Sequence, residues 1–341
     1  MKTGKNKLKI TRVCLVNTVY SLFLYLLYSK EDELNHTYYF FGREIARSIR
    51  EKFPNHYFIY YSGKVNIVVN HFFLFFKLFI FRYIKWPFLK YSDIFCQDHL
   101  ICSKFIIGKH SYTFIEDIPK AISIALLKKR NRQSFIRKII KNILNKYISG
   151  TIGYTWANNS QCKELILSVD DNVPYIENKK KHIVPIRTTW ENISQEKKEY
   201  ILNIFNVSSD DITAFKQRTH LILTQPFSSD INISEDDQIQ IYNNIIKKYD
   251  PSILIIKRHP RDLINYNKFF PDVFVFDKPI PMQIFLLLEE LNNIKKVITI
   301  TSTAIDLFPD TVEKEWVGSS VNPTLLKLQP NLVSNVYEKL S

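Results

Sequence analysis

Glycine is scarce in this chain, at 7 of 341 residues. Neither G-x-G-x-x-G nor G-x-x-x-x-G-K-[ST] occurs, so the glycine-rich backbone cradles of dinucleotide and P-loop sites are excluded. Kinase and dehydrogenase readings lose their main support. Cysteine is also sparse: Cys14, Cys96, Cys102 and Cys162 form no C-x-x-C pair, which gives no zinc pattern and suits a reducing compartment. The basic start Met1–Lys9 leads into an apolar run that holds Arg12 and Asn17 and lacks a small-residue cleavage site, so a secretory signal is not expected. The Phe-rich run Val65–Leu89 is interrupted by Asn70, His71, Lys77, Arg82, Lys85 and Pro87. It falls short of the roughly 20 predominantly apolar residues of a membrane span and reads as a core or membrane-surface helix. These absences predict a cytoplasmic protein.

Acidic residues are outnumbered, 33 against 47 Lys and Arg, for a formal charge of +14. Such a balance favours anionic partners: nucleic acid, an anionic membrane face or a phosphorylated substrate. Leu126–Ile148 concentrates it, with eight cations, no acid, and apolar residues at helical spacing. This segment is either a docking face for anionic lipid at the inner membrane or a solvated face packed on the core. No RNP, KH or zinc-finger signature accompanies the charge, so nucleic acid is not the expected partner.

The length suits two α/β domains of ordinary size. Ile10–Val16, a polar turn at Asn17, and an apolar helix to Tyr28 open the first, with short strands expected at Thr37–Phe41, Tyr57–Tyr61, Ser92–Gln97 and Tyr112–Ile115. A helix is expected between Gly42 and Phe53. Polar residues and prolines from Asp170 to Thr189 read as the passage between domains, placing the boundary at 185/186. Strands at His220–Thr224, Ile253–Lys257, Val273–Phe276 and Val297–Ile300, alternating with helices at Ser234–Tyr249 and Met282–Leu291, predict a second parallel sheet.

The most informative stretch is Ile253–Asp262. Its apolar residues end in Lys257-Arg258-His259-Pro260-Arg261, reading as a buried parallel strand that delivers His259 to its carboxyl end, where open α/β sheets bind ligands. Lys257, Arg258 and Arg261 make that end attractive to phosphate. Thr301-Ser302-Thr303 ends another strand with hydroxyls that could hold a phosphate or simply cap a helix. Gln97-Asp98-His99 and Glu116-Asp117 end strands of the first half in carboxylates, and Leu223-Thr224-Gln225-Pro226 ends a strand of the second. No acidic cluster has metal-ligand spacing.

In order and spacing these pieces resemble the bacterial sialyltransferases of glycosyltransferase family 52. The resemblance implies a GT-B-like fold, two Rossmann-like domains facing a cleft: an acceptor-side domain at 1–185 and a CMP-sugar-binding domain at 186–341. It implies an inverting, metal-independent transfer of N-acetylneuraminic acid from CMP-sialic acid to a galactose-terminated glycan, without a cofactor. On that resemblance His259 assists the leaving phosphate, Ser302 and Thr303 bind it, and Pro260 and Gln283 help form the nucleotide wall. Gln283 stands where relatives often carry Glu. Lys257, Arg258, Thr301 and Gln225 complete the donor side. Asn17, Asp98, His99 and Glu116 lie on the acceptor side, Glu116 chiefly as support for local geometry. The base is Asp117, which matches the second acid of the family's acidic motif although Ile118 replaces its glycine, or Asp230 after the Thr-Gln-Pro strand. Some relatives form dimers, and a homodimer is an expectation of the same kind. The competing readings are another nucleotide sugar as donor and a basic, non-enzymatic nucleic-acid or membrane-binding protein.

Overall fold

The computed structural model describes residues 9–59, 67–100, 102–120, 122–123, 156–231, 233–288 and 293–328. The chain divides into two compact units, Met1–Ile201 and Leu202–Ser341.

The first unit is built on seven parallel strands: β1 (Arg12–Val16), β2 (Thr37–Phe41), β3 (His56–Phe58), β4 (Asp93–Cys96), β5 (Tyr112–Ile115), β6 (Cys162–Leu167) and β7 (Lys180–Ile183). Their order is β3-β2-β1-β4-β5-β6-β7. Central strands of a parallel sheet are covered on both faces, which is why β1, β4 and β5 read as continuous apolar runs. The strand order reverses between β1 and β4, so a crevice is expected at their carboxyl ends. The helix Val19–Tyr28 after β1 is apolar on every side and buried except at its last residue, as a helix enclosed by sheet and neighbouring helix must be.

The second unit repeats the plan with five parallel strands: β8 (His220–Leu223), β9 (Leu254–Lys257), β10 (Phe274–Phe276), β11 (Lys296–Thr299) and β12 (Glu313–Trp316). The order β10-β9-β8-β11-β12 reverses between β8 and β11. Ile222, Leu254, Ile256 and Ile298 form its core with Ile241, Tyr242 and Ile245 from the helix Glu235–Ile246. The α/β class with two parallel, Rossmann-like sheets is thus the expected one.

Three stretches differ from the sequence reading. The Asp170–Thr189 passage contains β7, which pairs with β6, and runs into the helix Ile186–Asn192, whose Trp190 packs 6.3 Å from Phe23. Lys197 Nζ then donates to the carbonyls of Leu27 and Ser29, at 3.0 and 2.6 Å, at the end of the Val19–Tyr28 helix. A cation there satisfies orphan carbonyls and complements the helix dipole. These contacts hold the chain to the first unit through Ile201, later than 185. The Gly42–Phe53 helix contracts to Arg47–Arg50. The edge strands β7 and β12 escaped notice because Lys and Glu, useful against edge-to-edge pairing, mask their strand character. Lys296 holds Glu313 and Glu315 of β12 at 2.9 and 2.7 Å.

The Phe-rich run forms the helix Ile67–Ile84. Among the described residues no helix is long and apolar enough to cross a membrane. The basic segment Leu126–Ile148 lies outside the described residues.

Candidate active site

The carboxyl edge of the first sheet carries Asn17 after β1, Gln97-Asp98-His99 after β4, and Glu116-Asp117 after β5. Gln97, fully buried, spans the switch point. Its Oε1 accepts the Asn17 N–H at 2.6 Å and its Nε2 donates to Asp117 Oδ1 at 2.5 Å. Thr18, which caps the Val19–Tyr28 helix by accepting the Ser21 N–H, donates to the same Asp117 oxygen at 3.0 Å. Asp117 is therefore a half-buried carboxylate oriented through one oxygen by two donors from neighbouring strand ends. Asp171 secures the chain beyond it by accepting the Ile122 and Ser123 N–H groups at 3.0 and 3.2 Å.

Asn17 Oδ1 faces Glu44 N at 3.4 Å. It sits so close to Gly42 that a Cβ there would lie 2.1 Å from it, so one of the few glycines is required by this contact.

Asp98 and Glu116 lie beneath the edge, with no exposed surface. Asp98 Oδ2 accepts Tyr112 OH at 2.8 Å and Ala157 N–H at 2.9 Å. Burial raises its pKa to about 6. Glu116 Oε1 accepts Tyr20 OH at 2.6 Å and Ser168 N–H at 2.5 Å, and burial raises this carboxyl to about 7. His99 stacks on Trp156 at 4.7 Å, its pKa lowered by burial and raised in part by Asp117. Asp98 Oδ1, His99 Nδ1 and Glu116 Oε2 are buried without a partner among the described residues. Of the residues expected on the acceptor side, Asn17 and His99 are partly accessible, whereas Asp98 and Glu116 shape the edge from below.

The second sheet's carboxyl edge carries Thr224-Gln225-Pro226 after β8, Arg258-His259-Pro260 after β9, and Thr301-Ser302-Thr303 shortly after β11. Gln225 spans this switch point, its Oε1 accepting both the N–H and the hydroxyl of Thr301 at 2.8 and 2.9 Å. Ser302 caps the short helix Thr303–Leu307 by accepting the Ala304 N–H at 3.3 Å.

His259 is held at two points. Its backbone N–H donates to Thr224 Oγ1 at 3.0 Å, and that hydroxyl donates to buried Asp262 Oδ2 at 2.8 Å. Its Nδ1 accepts the Arg261 N–H at 3.1 Å. An Nδ1 that accepts cannot carry the proton, so the neutral ring carries it on Nε2. Burial, then Arg261 and Lys257, push the imidazole down to about 4 despite Asp230. At neutral pH His259 is an uncharged donor with its tautomer set. Tyr266 OH also donates to Asp262 Oδ2 at 2.8 Å, and Gln238 Nε2 lies 2.9 Å from Tyr266 OH and 2.8 Å from the Gln225 carbonyl.

The cations around His259 differ in what they do. Lys257 is buried, 3.4 Å from the carbonyls of Arg258 and Ile280, and burial with Arg258 nearby lowers it to about 7. Arg258 donates to the carbonyls of Asp262 and Asp277. Arg261 pairs with Asp230 at 2.9 Å. Lys257 and Arg258 thus fasten the loop, and Asp230 already has a cationic partner. Pro260 and Gln283, on the helix Met282–Leu287, are half-buried.

Sequence reading missed Gln97 as a bridge, and missed Asp262, Gln238 and Tyr266. Asp262 closes the His-Pro stretch, but its role depends on three partners elsewhere in the chain. Among the described residues no cluster of three His, Cys, Asp or Glu is placed to hold a metal. A cavity of about 450 Å³ lined by Arg12, Tyr91, Asp93, His110 and Lys163 lies at the opposite, amino-terminal edge of the first sheet, away from these groups.

An uncharacterized protein of Haemophilus influenzae is 28% identical over 238 residues, covering 70% of this chain and 72% of that one. Among solved structures, a Methanocaldococcus jannaschii UDP-GlcNAc 2-epimerase has a TM-score of 0.45 at 15% identity, covering 95% of this chain and 93% of that chain. A further UDP-N-acetylglucosamine 2-epimerase has a TM-score of 0.39 at 12% identity, covering 96% and 88%. The model of glycosyltransferase family 52 matches residues 23–317, spanning both switch-point glutamines, the carboxylate edge and the His-Pro loop, and the chain belongs to that family.

Proposed function

We propose that this glycosyltransferase is an inverting sialyltransferase that moves N-acetylneuraminic acid from CMP-sialic acid to a terminal galactose-type residue of a bacterial surface glycan. The carrying observation is the fixed tautomer of His259. With Nδ1 engaged by Arg261, Nε2–H is the group available to a leaving phosphate at the strand edge that also bears Ser302 and Thr303.

Asp117 takes the proton of the acceptor hydroxyl as that oxygen attacks the anomeric carbon from the face opposite CMP. The bond from that carbon to the phosphate oxygen breaks, and its electron pair leaves with CMP. The developing phosphate charge is met by His259 Nε2–H and the Ser302-Thr303 pair, and the proton remains on Asp117. Donors placed where charge develops act on the transition state more than on the bound substrate. Because His259 is neutral, it acts first as a hydrogen-bond donor; the incoming phosphate charge raises its basicity as the bond breaks. Pro260 and Gln283 form the nucleotide wall. Gln225 places Thr301, Lys257 and Arg258 hold the His-Pro loop, and Asn17 and His99 line the acceptor side. The transfer is proposed to need no metal or cofactor, at the cytoplasmic face of the inner membrane.

The test is CMP release from CMP-sialic acid with and without a lactose-type acceptor, in EDTA, for the wild type and His259→Ala. Acceptor-dependent release that survives EDTA and collapses in the variant supports the proposal. Release of UMP, UDP or GDP from other nucleotide sugars, with CMP-sialic acid left intact, overturns the donor.

A further inference from the structure

From Lys52 through Ser92 the chain has no Asp or Glu but six cations: Lys52, Lys64, Lys77, Arg82, Lys85 and Lys90. The helix Ile67–Ile84 occupies the middle of this stretch. One side faces the core: Leu78 is buried, and Leu74 and Phe81 pack on the cluster around Trp86 and Leu89. Arg82 also turns inward, donating to the Phe105 and Ile106 carbonyls. The opposite side of a helix packed this way is ordinarily polar. Here it bears Phe76, Phe79, Tyr83 and Ile84, at 60, 53, 55 and 77% exposure. Their spacing of three, four and one residues places them on one outward stripe, and Phe79 and Tyr83 meet edge to face at 5.1 Å.

Lysines flank the stripe. The ammonium groups of Lys77 and Lys85 lie 5.4 and 5.2 Å from the Phe81 ring centroid, on its Tyr57 side. Lys90 and Tyr91, the latter 85% exposed, follow just beyond the helix. Aromatic rings settle at the headgroup level of a bilayer, and lysine stems reach from there to lipid phosphates. The acid-free stretch of chain complements an anionic lipid surface over any neutral one.

We propose that the outward stripe of the Ile67–Ile84 helix, rimmed by Lys77 and Lys85 with Lys90 following in the chain, docks on an anionic lipid surface with Phe76, Phe79, Tyr83 and Ile84 seated among the headgroups. This stretch is distinct in sequence from the basic segment Leu126–Ile148, and its test does not depend on the identity of the sugar donor.

Cosedimentation of the full chain with phosphatidylcholine vesicles, with and without phosphatidylglycerol, tests it. The wild type is expected to pellet with the anionic vesicles. Phe79→Ser/Tyr83→Ser/Ile84→Ser is expected to lower that partition by about tenfold or more, and Lys77→Glu/Lys85→Glu/Lys90→Glu to lower it similarly on anionic vesicles alone. The altered side chains are exposed, so the unfolding temperatures of both variants should match the wild type. Equal wild-type partition on neutral and anionic vesicles overturns the proposal. So does unchanged binding of the serine variant while Lys128→Glu/Lys129→Glu/Arg130→Glu abolishes it. A serine variant that turns a dimer into a monomer without altering vesicle binding assigns the stripe to a second copy of the chain instead.

Discussion

Both sheets bridge their strand-order reversal with a glutamine, but from opposite sides. In the first, Gln97 follows β4 and reaches back to Asn17 after β1. In the second, Gln225 follows β8 and reaches out to Thr301 beyond β11. The amide oxygen satisfies a loop N–H that would otherwise be orphaned at a strand end. What surrounds the bridge differs. Gln97 also orients a carboxylate, Asp117, with Glu116 and Asp98 buried nearby. Gln225 lies among the loops that carry a neutral histidine, Arg258 and Arg261, with Lys257 buried at the end of β9. One scaffold device thus serves an edge suited to accepting a proton and an edge suited to accepting negative charge.

The proposed division of labour is most exposed at Asp117 and His259. His259→Ala and Asp117→Asn should each lower CMP release by about a hundred- to ten-thousand-fold, whereas Asp230→Asn, already paired with Arg261, should cost less than about tenfold. Steady-state rates of the three variants check this, and collapse of Asp230→Asn with Asp117→Asn spared would move the base to the second unit.

On the proposed reaction the two bridges serve different substrates. Gln225→Leu frees Thr301 and should raise the donor KM by about ten- to a hundredfold, while Gln97→Leu releases Asp117 and should lower kcat at similar donor KM. Identical kinetic signatures would erase the distinction between the edges.

Thr224→Val keeps the shape under His259 but leaves the His259 N–H and a buried Asp262 oxygen without their shared hydroxyl. A loss of about 1–3 kcal/mol in denaturant unfolding is expected, with kcat reduced more than donor binding. Full kcat in this variant would show that the hydroxyl does not position the histidine.

A last effect, read in pH rather than in rate, concerns Glu116. Its carboxyl is raised in the fold from 4.5 to about 7, so between those values the folded chain keeps a proton that the unfolded chain releases. Stability from this group is therefore lost as pH rises through that window. Glu116→Gln cannot titrate, so the wild type should lose stability relative to it from about pH 4.5 to about pH 7. Parallel stability profiles for the two would mean that Glu116 is solvated in the folded chain.

Much of the second sheet was legible, because its buried strands are short apolar runs between amphipathic helices. The first sheet was read through β5 and then lost: β7 is rich in lysine, and β6 lies beyond a long basic stretch. Site legibility followed the same physics. His259 and Asp117 announce themselves as polar residues abruptly ending apolar strands. Asp262 and Gln97 do not, since each acts by closing hydrogen bonds to chain segments far away in sequence.

The sequence alone determined the α/β alternation, the His-Pro strand end, the carboxylate pair and the family resemblance, because period and motif are local properties of the chain. Tertiary structure decided which carboxylates lie at the surface and which beneath it, and which nitrogen of His259 carries the proton. It also set the late boundary at Ile201 and the outward turn of Phe76, Phe79 and Tyr83. Burial and hydrogen-bond closure depend on strands and loops brought together from distant positions, and no local pattern encodes that meeting.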